Sequence, residues 1–251
     1  MSTQQQTKFN ILLIGDAGED TYTYGTVERI SPEAPVPVFV PQYNITRDGM
    51  ASNVCKNLEA LNCTVTYLHG AVSKKQRMID ERSKQHLLRV DHDIKSDAIV
   101  FDTVIPPGYD AIVISDYNKG TVSYTLIEEL RKEFDGPIFV DTKKTDLARF
   151  EGCYVKINQL ESSCAVTLPS AQWLVVTRGG YGATWDGWVY AAEPVGDVTD
   201  VCGAGDTFLS ALAYKFLETV DMPAAITFAN KASAVTVQHV GVYAPRLEEI
   251  V

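Results

Sequence analysis

The chain has 251 residues, 45% of them hydrophobic, which is enough to bury a substantial core and excludes wholesale disorder. That length fits one large α/β domain as easily as two small ones. The formal net charge of −10 argues against DNA or RNA as a main partner, because an acidic protein gains nothing from counterion release, and any anionic ligand must be met by local Lys, Arg or backbone N–H groups.

In chain order, Met1–Lys8 is polar and glutamine-rich, and Phe9–Ile14 is a short apolar run. That run is too brief for the hydrophobic region of a signal peptide or for a membrane span. The five cysteines, Cys55, Cys63, Cys153, Cys164 and Cys202, are scattered and contain no C-x-x-C pair. Their spacing gives neither a disulfide framework nor a zinc site, and it points to a reducing compartment. The expectation is a soluble cytoplasmic protein with no membrane partner. Phe9–Ile14, Ala111–Ser115, Pro137–Val140, Tyr154–Ile157 and Trp173–Thr177 read as strands buried on both faces, and the helical patterns between them imply a parallel sheet. Helices are predicted over Asn53–Leu61, Ser123–Phe134 with Ser123 as cap, and Pro223–Val237. Ala34–Tyr43, with its prolines among valines, reads as an edge strand. The alternation within Lys74–Asp91 adds to it a small sheet outside the main one, taken as a flap over a cleft.

The sharpest chemical signal is Asp200-Val201-Cys202-Gly203-Ala204-Gly205-Asp206, followed by Thr207–Glu218. In the latter stretch Phe208, Leu209, Leu212, Ala213, Phe216 and Leu217 share one helical face. A turn of small residues thus delivers Asp206 to a helix N-terminus, where free N–H groups and the helix dipole favour anions. A carboxylate there could accept the proton of an attacking hydroxyl while the N–H groups hold phosphate charge. Taken alone, G-A-G-D reads more simply as a turn and a helix cap. Asp16 and Asp20 lie just past the first strand, where open parallel sheets place their ligands. The histidines His69, His86, His92 and His239 share no metal-ligand spacing. There is no G-x-x-x-x-G-K-[ST] loop and no G-x-G-x-x-G after the first strand.

The neighbouring motifs change the weight of G-A-G-D. Asp200–Asp206 resembles the D-T-x-G-A-G-D signature of PfkB-family sugar kinases, with Cys202 where Thr is usual. Asn158-Gln159-Leu160-Glu161 is similar to that family's N-x-x-E element, and Val176-Thr177-Arg178-Gly179-Gly180-Tyr181-Gly182 to its V-T-x-G-x-x-G loop. Ala229-Asn230-Lys231-Ala232 resembles the segment whose Asn lies near adenine. These matches run in the family's order across nearly the whole chain, and none alone would carry the same weight. Glu28–Val38, Ser115–Gly120 and Val140–Lys143 further resemble the D-glycero-β-D-manno-heptose 7-phosphate kinases, the kinase half of bifunctional ADP-heptose synthesis proteins. The chain stops at Val251, so the nucleotidylyltransferase half is expected to be absent.

The resemblance implies a ribokinase-like three-layer α/β/α fold with a mostly parallel central sheet and a small β-sheet lid. The expected organisation is one kinase domain over 1–251, with lid segments near 20–43 and 75–92. It implies Asp206 as catalytic base, with Gly203, Ala204 and Gly205 supplying N–H groups to the transferring phosphoryl. ATP falls to Asn158, Thr177, Gly179, Gly182 and Asn230. Magnesium falls to Asn158 and Glu161, the latter through water; a monovalent cation near Asp200 is left open. The acceptor, a sugar or sugar phosphate, falls to Asp16, Asp20, Gly49 and Asn53, with Lys143 for a substrate phosphate and Arg29 and Arg77 as looser candidates. The implied reaction is phosphoryl transfer from ATP to the anomeric O1 of heptose 7-phosphate, and the implied assembly a homodimer through the lid. Departures from the family pattern are Met50 where a second glycine is usual at the lid hinge, and short segments around Gly70–Met78 and Glu161–Gln172. Met enters positive φ only at a cost. The alternatives are a kinase for another sugar or a nucleoside, and a non-catalytic sugar- or nucleotide-binding relic.

Overall fold

The elements follow from where the apolar runs fall. In the computed structural model, which describes residues 9–101 and 108–250, the first half contains β1 (Asn10–Gly15), β2 (Ala17–Ile30), β3 (Pro37–Met50), α1 (Ala51–Ala60), β4 (Thr64–His69), β5 (Ser73–Asp80) and β6 (His86–His92). The second half contains β7 (Ala111–Asp116), α2 (Tyr124–Glu133), β8 (Ile138–Thr142), β9 (Tyr154–Asn158), α3 (Gln159–Cys164), β10 (Leu174–Thr177), β11 (Ala183–Trp185), β12 (Trp188–Tyr190), α4 (Ala204–Thr219) and α5 (Met222–Thr236). The polar start Met1–Lys8 lies outside the described residues.

Eight strands form the main sheet in the order β12-β11-β10-β9-β8-β7-β1-β4. It is parallel from β10 through to β4, with β11 and β12 added as an antiparallel hairpin at one edge. The strand period of two divides β1 between the faces. Ile11 and Leu13 pack with Val54 and Leu58 of α1, Leu209 and Leu212 of α4, and Ile226 of α5. Leu12 and Ile14 pack with Leu126, Ile127 and Leu130 of α2 on the other side. The expected three-layer architecture is therefore observed. The caps agree locally, since the Ser123 hydroxyl accepts from the N–H of Leu126 at 3.0 Å and starts α2 one residue on.

A second, four-stranded sheet has the order β3-β2-β5-β6, with β2 and β5 parallel and the outer pairs antiparallel. The edge strand expected over Ala34–Tyr43 is β3, shifted to Pro37–Met50, with a tight bend before it in which the N–H of Ser31 meets the carbonyl of Val36 at 2.8 Å. The alternation within Lys74–Asp91 resolves into β5 and β6. The fourteen-residue β2 falls in the expected lid segment near 20–43, where no separate strand was read before Ala34. β2 begins directly after Asp16, and β3 runs directly into α1, so the small sheet is tethered at the C-terminal edge of the main one. Asp16, Asp116, Lys143, Asn158 and Thr177 stand at or just past the C-terminal ends of β1, β7, β8, β9 and β10, the edge where open parallel sheets take ligands.

Candidate active site

α4 starts after Gly203, whose φ of 78° is left-handed, and a Cβ there would stand 2.8 Å from the side-chain nitrogen of Asn53. Only glycine meets both demands cheaply. The turn is drawn tight by Asp200, whose carboxylate accepts from the N–H groups of Cys202 (3.0 Å) and Gly241 (2.9 Å). Burial works against the Asp200 charge, but those backbone hydrogen bonds hold its carboxyl below the usual range. Asp206 therefore sits in the first turn of α4 with only 6% of its surface exposed. Asn53 Nδ2 donates to its Oδ2 at 2.8 Å, and the Tyr117 hydroxyl donates to its Oδ1 at 3.2 Å. Burial pushes the Asp206 carboxyl up to about 6; the hydrogen bond from Asn53 opposes the rise, the charge of Asp141 adds to it, and Lys156 and Tyr117 oppose it.

Three hollows meet at this turn. The first, about 490 Å³, is lined by Gly203, Gly205 and Asp206 on one side and by Lys143, Lys156 and Asn158 on the other. The second, about 440 Å³ and mainly apolar, continues from Thr177, Gly179 and Gly205 to Phe208, Asn230 and Val237. The third, about 310 Å³, lies between the small sheet and the body, with Tyr22, Arg47, Arg77 and His86 facing Asp200 and Cys202. Ala204 lines the second hollow rather than the first, and its N–H donates to the carbonyl of Val201 at 3.3 Å. The expectation that Ala204 offers an N–H to a phosphoryl group is corrected accordingly: that N–H is spent inside the turn, and Gly203 and Gly205 face the open space.

Residues 154–250, which carry Asn158, the Thr177–Gly182 loop, Asp206 and Asn230, match the family described as pfkB family carbohydrate kinase. The whole chain also has curated relatives. It is 33% identical to the bifunctional protein HldE of Nitratiruptor sp., an alignment covering 97% of this chain and 64% of that protein. It is 28% identical to the protein of the same name from Pasteurella multocida, over 92% of this chain and 60% of the relative. The chain thus spans less than two thirds of the curated relatives it matches. Among solved structures, phosphofructokinase-2 from Escherichia coli in complex with potassium superposes with a TM-score of 0.72 at 17% identity, covering 97% of both chains. Arabidopsis thaliana ribokinase complexed with ribose and ATP gives 0.69 at 13% identity, over 97% of this chain and 98% of that one. The fold is ribokinase-like.

The PfkB motif residues take up distinct positions. Asn158 caps α3: its side chain accepts from the N–H of Glu161 at 2.8 Å, and Glu161 Oε2 accepts from the N–H of Asn158 at 2.8 Å. The other Glu161 oxygen pairs with Lys143. Among the described residues no group of three or more His, Cys, Asp or Glu side chains converges to hold a metal. That donor set fits a magnesium ion kept by phosphate oxygens and water, with Glu161 as an outer partner, because magnesium gives up its waters reluctantly. Gly182, at φ 86°, leaves no room for a side chain, since a Cβ would lie 2.0 Å from the carbonyl oxygen of Tyr190. Asn230 lines the apolar hollow and donates to the carbonyls of Tyr190 (3.0 Å) and Ala191 (3.4 Å), fixing that wall.

On the small-sheet side, Asp20 pairs with Arg77 at 2.5 Å, both largely covered. A Cβ on Gly49 would come within 2.5 Å of Asp20 Oδ2, so glycine is required there for the carboxylate to keep its place. Met50 caps α1 at φ 54°, ψ −137° while only 5% exposed, so the costly conformation expected of this position is adopted. Two of the expected substrate contacts are engaged within the protein. Asp16 is 1% exposed, and its carboxylate accepts from the N–H groups of Tyr117 (2.8 Å), Lys119 (3.0 Å) and Thr121 (3.4 Å). It anchors the loop that carries Tyr117. Lys143 lies beside Glu161 in the first hollow, across the catalytic turn from Asp20, because β8 ends on that side. Burial opposes the Lys143 charge, but Asp141, Glu161 and Asp206 hold its ammonium above the usual lysine value. Of the looser candidates, Arg77 lines the small-sheet hollow, and Arg29 is exposed near the end of β2.

Sequence reasoning missed Lys156 and Tyr117. Lys156 is 3% exposed within β9, pairs with Asp141 at 2.7 Å and lines the first hollow. A Cβ on Gly205 would be 3.0 Å from its ammonium. A lysine inside the buried run Tyr154–Asn158 was the available signal, since unpaired lysines are almost never buried. The five cysteines are all free. No helix among the described residues is long and apolar enough to cross a membrane.

Proposed function

We propose that the chain is an ATP-dependent sugar kinase that transfers the γ-phosphoryl group to the anomeric O1 of heptose 7-phosphate or a closely related sugar phosphate. The observation that carries this reading is Asp206 itself, a buried carboxylate raised to about 6 that lines a hollow of about 490 Å³ carrying two lysines. Its turn also borders the apolar hollow and the small-sheet hollow. A carboxyl of that value is mostly ionised at neutral pH and basic enough to take a proton.

In this reading the adenine occupies the apolar hollow by Asn230, and the loop from Thr177 to Gly182 borders the phosphates. Lys143, Lys156 and the N–H groups of Gly203 and Gly205 face the transferring group, where fixed positive ends stabilise spreading negative charge. A bound magnesium ion, associated with Asn158 and Glu161, adds charge neutralisation at the phosphates. Asp206 takes the hydroxyl proton as the acceptor oxygen bonds to phosphorus and the bond to the β-phosphate oxygen breaks, releasing ADP. Asp20 and Asn53 border the acceptor. Arg47 and Arg77, both stacked near the Tyr22 ring, replace Lys143 as the groups able to meet an acceptor phosphate. Arg77 is already paired with Asp20, so Arg47 is the group that supports an anionic acceptor over a neutral sugar or nucleoside.

Exposed apolar side chains on the small sheet, among them Val40, Ile45 and Leu88, support pairing of two copies through that sheet, which a mass measurement in solution checks. The functional reading is tested by ADP release with a panel of sugars and sugar phosphates, heptose 7-phosphate included. Turnover restricted to phosphorylated acceptors is expected. Preference for ribose, fructose or a nucleoside moves the assignment to another sugar kinase, and no ADP with any acceptor leaves a binding protein.

A further inference from the structure

Behind Asp206 a line of buried hydrogen bonds runs through Asn53 to side chains, Asn57 and Thr236 among them, that no motif names. Asn53 Nδ2 donates to Asp206 Oδ2 at 2.8 Å. Asn57, one turn along α1, donates from Nδ2 to the Asn53 backbone carbonyl at 2.8 Å and to Asn53 Oδ1 at 3.3 Å. The Thr207 hydroxyl donates to Asn57 Oδ1 at 2.8 Å, and the Thr236 hydroxyl on α5 lies 3.0 Å from that of Thr207. Asn53, Asn57, Thr207 and Thr236 are between 0 and 2% exposed, so water cannot substitute for any of these contacts.

The line has a direction. The side-chain amide of an asparagine is ambiguous by itself, because its oxygen and nitrogen ends are nearly the same size. The Asn53 backbone carbonyl can only accept, so it draws the Asn57 nitrogen toward Asn53 and leaves the Asn57 oxygen facing α4. There the Thr207 hydroxyl donates to it at 2.8 Å in preference to the Tyr243 carbonyl at 3.5 Å. The Asn57 nitrogen then faces Asn53, where it needs acceptors, and the side-chain oxygen of Asn53 turns toward it. Only then does the Asn53 nitrogen point at the carboxylate. Were Asn53 flipped, its oxygen would face Asp206 and its nitrogen the Asn57 nitrogen, opposing like groups at both ends in a dry interior.

We propose that Asn57 and Thr207 are positioning residues for the phosphoryl-transfer base, locking the Asn53 amide so that it always donates to Asp206 and holds that carboxylate in one orientation. The proposal rests on the kinase reading for its catalytic consequence, while the locked amide stands on geometry alone. The other groups that act on Asp206 come from different elements: Tyr117 from the loop after β7, Asp141 on β8, Lys143 just beyond it, Lys156 on β9 and, acting through Lys143, Glu161 on α3. None of these touches Asn57 or Thr207, so the two can be altered without changing the charges that surround the base.

Three variants test the lock: Asn57→Leu, which keeps the volume and removes both amide ends, Thr207→Val, which removes the hydroxyl from the same shape, and Thr207→Ser, which restores it. Each is checked for folding by thermal unfolding, then assayed for kcat, for KM toward ATP and for the pH dependence of turnover. In parallel the Asp206 carboxyl is titrated by carbon-13 NMR, a readout that does not require turnover. Expected for Asn57→Leu and Thr207→Val is a fall in kcat of about tenfold or more, the scale set by a hydrogen bond to a charged group, with KM for ATP nearly unchanged. The acid limb of the profile and the NMR titration should both move upward by about one pH unit, because a donor that favours the ionised form is no longer held in place. Thr207→Ser should return both to the wild-type position.

Folded variants whose Asp206 titrates as in the wild type overturn the lock, as does a Thr207→Ser protein that behaves like Thr207→Val. If Asn57→Leu does not fold, the Thr207 pair decides. A wild-type protein that turns over no sugar removes the kinase reading, and the NMR titration still decides whether the amide is locked.

Discussion

Replacing Asp206 by Asn separates the cost of the base from its use. The two side chains have the same shape, and Asn can accept from Asn53 through its oxygen and donate to the Tyr117 oxygen through its nitrogen, so neither contact need be lost. What disappears is a buried charge. The Asp206 carboxyl is raised from an ordinary 3.8 to about 6, chiefly by burial. A group whose folded value is raised stabilises the fold fully below its unfolded value and loses that contribution as pH climbs through the folded one. At pH 8 the ionised Asp206 therefore costs about 3 kcal/mol relative to a neutral side chain. For a chain of this size that is about 6 °C in Tm. Thermal unfolding of both proteins between pH 4 and pH 8 should show Asp206→Asn melting higher at pH 8, with the gap closing as pH falls from 6 toward 4. In the same protein turnover should drop by about 10²–10⁴-fold, the range of a lost general base, while ATP still binds. Equal melting temperatures at pH 8, or a gap of constant size at every pH, would refute the argument from buried charge. Retained turnover would remove Asp206 as the base.

Lys156→Met should leave the Asp141 carboxylate buried without its partner at 2.7 Å, lowering stability by about 3 kcal/mol in urea denaturation. The same change withdraws a positive charge that lowers the Asp206 value, so the acid limb of the pH–rate profile should move upward. At Met50 the usual order of Ala over Gly should reverse: with φ at 54°, Met50→Gly should be more stable than Met50→Ala by about 1 kcal/mol in the same denaturation assay. Gly182→Ala drives a Cβ to within 2.0 Å of the Tyr190 carbonyl oxygen, so it should raise KM for ATP while leaving acceptor discrimination intact.

Much of this molecule is legible from its residues. β1, β7, β8, β9 and β10 announce themselves as apolar runs because strands buried on both faces have no polar side to hide them, and α2 is bounded within one residue by Ser123. The turn before Asp206 is local, so its shape follows from its own small residues. β2 lies in the expected lid segment but could not be read as a strand of its own, because only one of its faces meets the small-sheet hollow and its Tyr, Thr and Gly residues make no apolar run. Tyr117 and Lys156 escaped because their importance lies in partners remote in the chain, 89 residues away for the Tyr117–Asp206 contact. Asp16 and Lys143 show the converse. Each stands at the expected edge of the sheet, but the direction of a side chain there is decided by neighbours on other strands: backbone N–H groups took the first, and Glu161 the second.

The turn before Asp206 lies between two separately built walls. One is the four-stranded small sheet, joined to the body through Asp16 and Met50, and the other is formed by the loops before and after the β11–β12 hairpin, where Asn230 holds the carbonyls of Tyr190 and Ala191. Mutation can therefore remodel either flank while the turn between them is inherited unchanged. A scaffold arranged this way lets one wall be reshaped while the other keeps its form.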